Sequence, residues 1–158
     1  MADGAIEAAL ALSLERVLEQ MFFVTPAEGS GDETARAAAL AARLDFEGQP
    51  CGSLLLRMDA EAARSIAADF LAEDTETVTP RQVEDVLFEL ANMICGAALS
   101  SLESGISFRL GPPRPAAATV PADFPDPAAR TVDVGTGAIT VFLQFLATPC
   151  PSNAKSAC

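Results

Sequence analysis

The chain has 158 residues, half of them hydrophobic, and a net charge of −12 from 22 acidic and 10 basic side chains. That length is enough for one domain with a real core. The acidic balance argues against nucleic acid and anionic membrane as partners, since both call for clustered Lys and Arg. The absence of His removes Ser-His-Asp and Cys-His pairs, imidazole general bases and His-built zinc sites.

Along the chain, "MADGAIEAALALSLERVLEQ" lacks a basic n-region and carries acids through its apolar stretch, so it does not read as a signal peptide. Asp3 is placed to cap a first helix running to about Phe22. Ile6, Leu10, Leu14, Val17 and Met21 recur on one face of it. "TPAEGSGDET", Thr25 to Thr34, is a loop. Leu44-Asp45-Phe46 alternates before Gly48, and "CGSLLLRMD" follows a short turn, which predicts two antiparallel strands. Asp59 is placed to cap a short helix, "AEAARSIAADFL", with Ala63, Ile66, Ala67 and Phe70 as its apolar face.

"TPRQ", Thr79 to Gln82, combines a Thr N-cap, Pro at the first helical position and Gln closing a capping box, and so starts a long helix to about Leu102. Ser104-Gly105 ends it. "ISFRL", "TVDVG" and "ITVFLQFLA" read as strands, the last two joined through a Gly-Thr-Gly turn. The Pro- and Ala-rich segment from Gly111 to Arg130 is either mobile or an extended edge strand used in oligomer contact. The domain is drawn at 1–148, with a frayed tail at 149–158. A long helix followed by strands occurs twice, a coarse sign of internal duplication.

The four cysteines form no CxxC pair; Cys51 and Cys95 lie in apolar settings and read as inert core residues. No run reaches the length of a membrane span. The picture is of a cytoplasmic protein with free thiols.

The long helix carries the one candidate constellation. At 100° per residue, Val83, Val86, Leu87, Leu90, Ile94, Ala97, Ala98 and Ser101 share a broad, mostly apolar face. Gln82, Asp85, Glu89, Asn92, Gly96, Ser100 and Glu103 line the opposite side. Glu89 and Asn92 at i,i+3 bring their Cβ atoms to ~5–6 Å, within reach of one small target. A solvated polar face is the commoner meaning of such a line. Against it, Gly in a helix interior costs ~0.8–1 kcal/mol relative to Ala and Asn up to ~0.7 kcal/mol, in a chain otherwise full of alanine.

"ELANMICGAALSSLE" resembles the signature helix of the CheC/CheX phosphatases of bacterial chemotaxis, in which Glu-x-x-Asn precedes Met-Ile/Val-x-Gly. The similarity in order of elements extends over most of the chain, including an opening helix that ends "VLEQMFF". The resemblance implies an α/β domain of α+β type: an antiparallel sheet with two long helices on one side, built as an internal pseudo-repeat. It implies dephosphorylation of a phosphorylated CheY-type receiver domain. Asn92 would orient the attacking water and Glu89 would engage the receiver's lysine, both as catalytic residues. Gln82, Asp85, Met93 and Gly96 would contact the partner. No cofactor of the chain's own is implied; Mg²⁺ is expected on the partner regulator.

CheC-type members carry a second Glu-x-x-Asn on the first helix. Here Glu15 is followed at i+3 by Leu18, and Glu19 by Phe22. One site per chain is more similar to CheX, whose members form homodimers by pairing strands. The alternative within the same fold is a non-catalytic binding or dimerisation module, as in relatives of the flagellar switch proteins.

Overall fold

In a computed structural model, residues 3–28, 38–102, 105 and 107–146 are described. Most of the expected loop at 25–34, Ser104 at the expected helix end and the tail 149–158 lie outside them.

Alternating and continuous apolar runs build the sheet. β2 (Ala39–Glu47) and β3 (Gly52–Asp59) form the antiparallel pair that the alternation around Leu44-Asp45-Phe46 predicts, in register from Ala39 opposite Asp59 to Phe46 opposite Gly52. β7 (Ala138–Phe145) lies on the other side of β3, and β6 (Ala128–Asp133) pairs with β7 through the Gly135–Gly137 turn. Val134 N donates to Gly137 O at 3.0 Å across that turn, and Gly135 has a φ of 88°, which favours glycine. A two-residue strand, β1 (Ala27–Glu28), pairs with β6 inside the stretch that the sequence reads as loop.

β3 and β7 are buried on both faces. Leu54, Leu56, Met58, Ile139, Val141 and Leu143 join the main core beneath the helices. Leu55 and Phe142 point the other way, into a second cluster with Ala41 and Phe124. Three helices cover the first face: α1 (Asp3–Phe22), α2 (Ala60–Leu71) and α3 (Pro80–Leu102). This is the antiparallel sheet with two long helices on one side, with the short α2 added.

The Gly111–Arg130 segment covers the second face of the chain's own sheet. β4 (Arg109–Leu110) and β5 (Arg114–Ala116) both pair with the outer edge of β2, and Gly111 N donates to Asp45 O at 2.7 Å between them. Pro112 and Pro113 cannot donate to a ladder, so the edge strand is broken into two short pieces. Beyond it, Phe124 is buried on the sheet, and the Arg43 guanidinium stacks over its ring at 5.0 Å. Arg43 grips Asp123 with both terminal nitrogens, at 3.1 and 2.6 Å. It also donates to Asp45 and Ser53 at 3.2 Å each.

Several expectations are corrected. Asp59 precedes α2, but its side chain makes no cap hydrogen bond; Oδ2 accepts from Ala138 N at 2.8 Å and ties the start of β7 to the start of α2. Asp3 is the first helical residue of α1, not its cap. Cys51 is disulfide-bonded, not a free thiol. Cys95 is free and buried, and burial pushes its thiol up to about 12, which keeps it neutral. By length and composition α3 is long and apolar enough to cross a membrane, against the reading that no run is. Its apolar residues, among them Leu87, Leu90 and Ile94, are buried in this domain's core.

Candidate functional site

The start of α3 is fixed by the capping box. Gln82 N donates to Thr79 Oγ1 at 3.2 Å, and Thr79 N donates to Gln82 Oε1 at 2.8 Å. Gln82 Nε2 donates to Glu73 Oε1 at 3.1 Å. From this start, Val83, Val86, Leu87, Leu90, Ala91, Ile94, Cys95, Ala98 and Leu99 are buried. That anchored stripe fixes the rotation of the helix, so the residues opposite it are held outward on a rigid element.

Asp85 and Glu89 are exposed, and Asn92 and Gly96 are partly exposed. Among the described residues, neither the Glu89 carboxylate nor the Asn92 amide has a hydrogen-bond or ion-pair partner. Both are therefore available to an incoming molecule. A Cβ built at Gly96 meets nothing within 4 Å among the described residues, so their packing gives no reason for a glycine there. The other two candidates differ. Met93 is half-buried and packs against the main core, and the Gln82 amide is engaged in the helix cap.

α1 carries no comparable site. Leu18 and Phe22, at i+3 from Glu15 and Glu19, are buried, and Glu15 accepts from Arg130 at 3.5 Å.

Periodicity misplaced two residues, one of which, Phe70, shares a groove with Glu89. Met21 and Phe70 are assigned to apolar helix faces, yet they are 48% and 40% exposed. Phe70 borders a groove of about 300 Å³ with Leu71, Gln82, Asp85, Val86 and Glu89. The run Met21-Phe22-Phe23 is the signal that was available, because three consecutive apolar residues cannot all face inward from one helix. Phe22 is the one that does, and its ring meets that of Phe70 at 5.4 Å between centroids.

Comparison with known proteins decides the family. The model of the chemotaxis phosphatase CheX matches residues 40–120, just over half of the chain and the whole of α3. The chain belongs to the CheX family. No curated protein sequence matches it. Among solved structures, it is similar to the chemotaxis protein CheX from Vibrio vulnificus, with a TM-score of 0.76 at 22% identity over 92% of this chain and 99% of that one. The CheX–CheY–BeF₃–Mg²⁺ complex from Borrelia burgdorferi gives 0.65 at 21% identity, covering 87% and 96%. The FliM middle domain from Vibrio alginolyticus gives 0.56 at 13% identity, covering 90% and 92%. At these identities the likenesses show the fold: the CheC-like antiparallel sheet with helices that the sequence resemblance implies.

Proposed function

We propose that this chain removes the phosphoryl group from the aspartate of a phosphorylated CheY-type receiver domain, in the cytoplasm, with α3 laid across the receiver's active site. The observation that carries this reading is the Glu89–Asn92 pair on the outward face of α3, without hydrogen-bond or ion-pair partners among the described residues, in a member of a chemotaxis-phosphatase family. The Asn92 amide accepts from and orients a water in line with the scissile bond. The water oxygen attacks phosphorus and the bond to the aspartyl oxygen breaks. The receiver's carboxylate and inorganic phosphate leave, and the water's protons pass to phosphate and solvent.

Phosphoryl transfer asks chiefly for positioning and charge stabilisation, so an amide suffices where no strong base exists. Glu89 pairs with the receiver's lysine and sets the distance. Mg²⁺ belongs to the receiver, and no cofactor is required of this chain. The complex of CheX with CheY from Borrelia burgdorferi supports the choice of partner, and a homodimer is the arrangement that the resemblance favours.

The likeness to a FliM middle domain favours a second reading, a non-catalytic module of the same fold. The two separate in one assay. Phosphorylated CheY-type receivers from the source genome are mixed with the protein and phosphate release is followed. Faster release from one of them supports the phosphatase; release at the intrinsic rate from all of them, with binding retained, supports the module.

A further inference from the structure

The Glu89–Asn92 pair lies at one edge of a larger surface that has features of its own. Phe23 is 91% exposed and sits at a φ of 53°, a left-handed backbone that is uncommon for a bulky side chain and costs strain. It is the first residue past α1, in the left-handed conformation that often ends a helix, and Val24 N donates to Leu18 O, six residues back, at 3.2 Å. Glycine is the usual residue at such a position. The chain instead presents an aromatic ring to solvent there, on a strained backbone.

The Phe22–Phe70 ring contact brings this end of α1 to the end of α2. Met21, Phe23 and Phe70 are three of the exposed large hydrophobic side chains among the described residues. Phe70 lines the groove, and Met21 and Phe23 are the chain neighbours of Phe22, whose ring meets that of Phe70. The groove that Phe70 lines has an apolar floor, Phe70, Leu71 and Val86, and an acidic rim, Asp85 and Glu89. Glu73, hydrogen-bonded to Gln82 on the same rim, adds a third carboxylate. Glu89 thus belongs to the groove and to the catalytic line at once, so a molecule seated over Asn92 has the groove beside it.

We infer that this corner of α1, α2 and α3 selects the receiver, taking a docking segment that presents an apolar side chain to the Phe70 groove and a Lys or Arg to Asp85. The inference rests on the phosphatase reading for its partner, and it separates selection from chemistry. Asn92 acts on the phosphoryl group that all receivers share, whereas the corner reads side chains that differ between them. The acidic rim supplies charge complementarity for the basic residue, and the apolar floor buries the neighbouring one.

The test uses the full chain and two variants chosen to fold, Phe23→Gly and Asp85→Lys, with Leu12→Ser as control. Leu12 is 52% exposed and lies about 180° from Met21 around α1 at 100° per residue. Receivers from the source genome are loaded with BeF₃⁻ and Mg²⁺ for binding, and phosphorylated with acetyl phosphate for turnover. Phe23→Gly should raise the melting temperature, by relieving the left-handed strain, and still raise KM and Kd about tenfold. Asp85→Lys should raise both about tenfold and flatten their dependence on salt. In both, kcat should hold within about twofold, and Leu12→Ser should change nothing.

If phosphate release is accelerated but both variants keep wild-type KM and Kd, this inference is overturned and the phosphatase reading stands. If no release is accelerated, that reading fails, and the binding arm judges the corner alone: weakened binding in the variants upholds it, and unchanged or absent binding removes it. A change in sedimentation of Phe23→Gly with unaltered receiver binding would assign the corner to a second copy of the chain and overturn the inference.

Discussion

The two faces of the sheet treat their polar side chains in opposite ways. On the second face, Arg43, Asp45, Ser53, Arg114 and Asp123 are joined in one network of hydrogen bonds and ion pairs that holds the Gly111–Arg130 segment down. On the helical side, Glu89 and Asn92 stand on a helix anchored by a buried stripe and, among the described residues, touch no other side chain by hydrogen bond or charge. Polar groups that hold a fold together are partnered within it. A pair left without partners on a rigid element is the pattern that a docking site requires. α1 provides the internal control, because its Glu15 is paired with Arg130 and the positions at i+3 are core.

That contrast can be broken from either side. Arg43→Ala should have the largest effect on stability, about 2–3 kcal/mol, because it removes charge-assisted hydrogen bonds and leaves the Asp45 carboxylate short of a partner. Denaturant unfolding measures it, and phosphatase kcat should survive. Glu89→Ala should do the reverse: stability within about 0.5 kcal/mol of wild type and a KM for the phosphorylated receiver raised about tenfold. A pure loss of stability would return Glu89 to the role of a solvated surface residue.

Gly96→Ala sharpens the contrast further. It should stabilise α3 by about 0.8–1 kcal/mol, since the added methyl meets nothing among the described residues and improves helix propensity, while slowing turnover by crowding the partner. A thermal melt and a turnover assay on one sample read both signs.

The smallest effect concerns pH. The hydrogen bond from Arg43 holds the exposed Asp123 carboxyl below the ordinary carboxylate range. For Asp45, burial pushes upward, but hydrogen bonds from Ser53 and Arg114 and the nearby guanidinium charges outweigh it, and the net direction is also down. A carboxyl that binds protons more weakly when folded stabilises the fold above its unfolded pKa, about 4, and loses that contribution as pH falls through the folded value. Protection of the Phe124 amide, bonded to Pro121 O at 3.0 Å, against hydrogen exchange, taken relative to its intrinsic rate at each pH, should fall below about pH 4, with salt shrinking the effect because Asp123 is exposed.

Local rules made much of this legible. The Thr79–Gln82 box marks the start of α3. Its period of 3.6 puts Val83, Val86, Leu87, Leu90, Ile94 and Ala98 in the core and the Glu89–Asn92–Gly96 line outside it, but it places the exposed Ser101 on the buried face and misses Ala91, Cys95 and Leu99. The β2–β3 pair follows from alternation and a turn. What stayed hidden depends on contacts far apart in sequence. Nothing local to Arg43 points to Asp123, and the Pro-rich segment has no period to show that Phe124 is buried. Met21 and Phe70 fit their helix faces by angle, but they lie at helix ends where those faces run past the core. Their exposure is a property of the assembled corner. The reaction came from neither source of order, since an amide and a carboxylate at i,i+3 name a geometry, and family membership supplied the phosphatase.

The most direct test of the central claim is to measure receiver binding and phosphate release together for Asn92→Ala. If the amide aims the water, Kd for a BeF₃⁻- and Mg²⁺-loaded receiver should stay near wild type while kcat for phosphate release falls about a hundredfold or more. Full retention of kcat would contradict the account, even if the activity itself proved real.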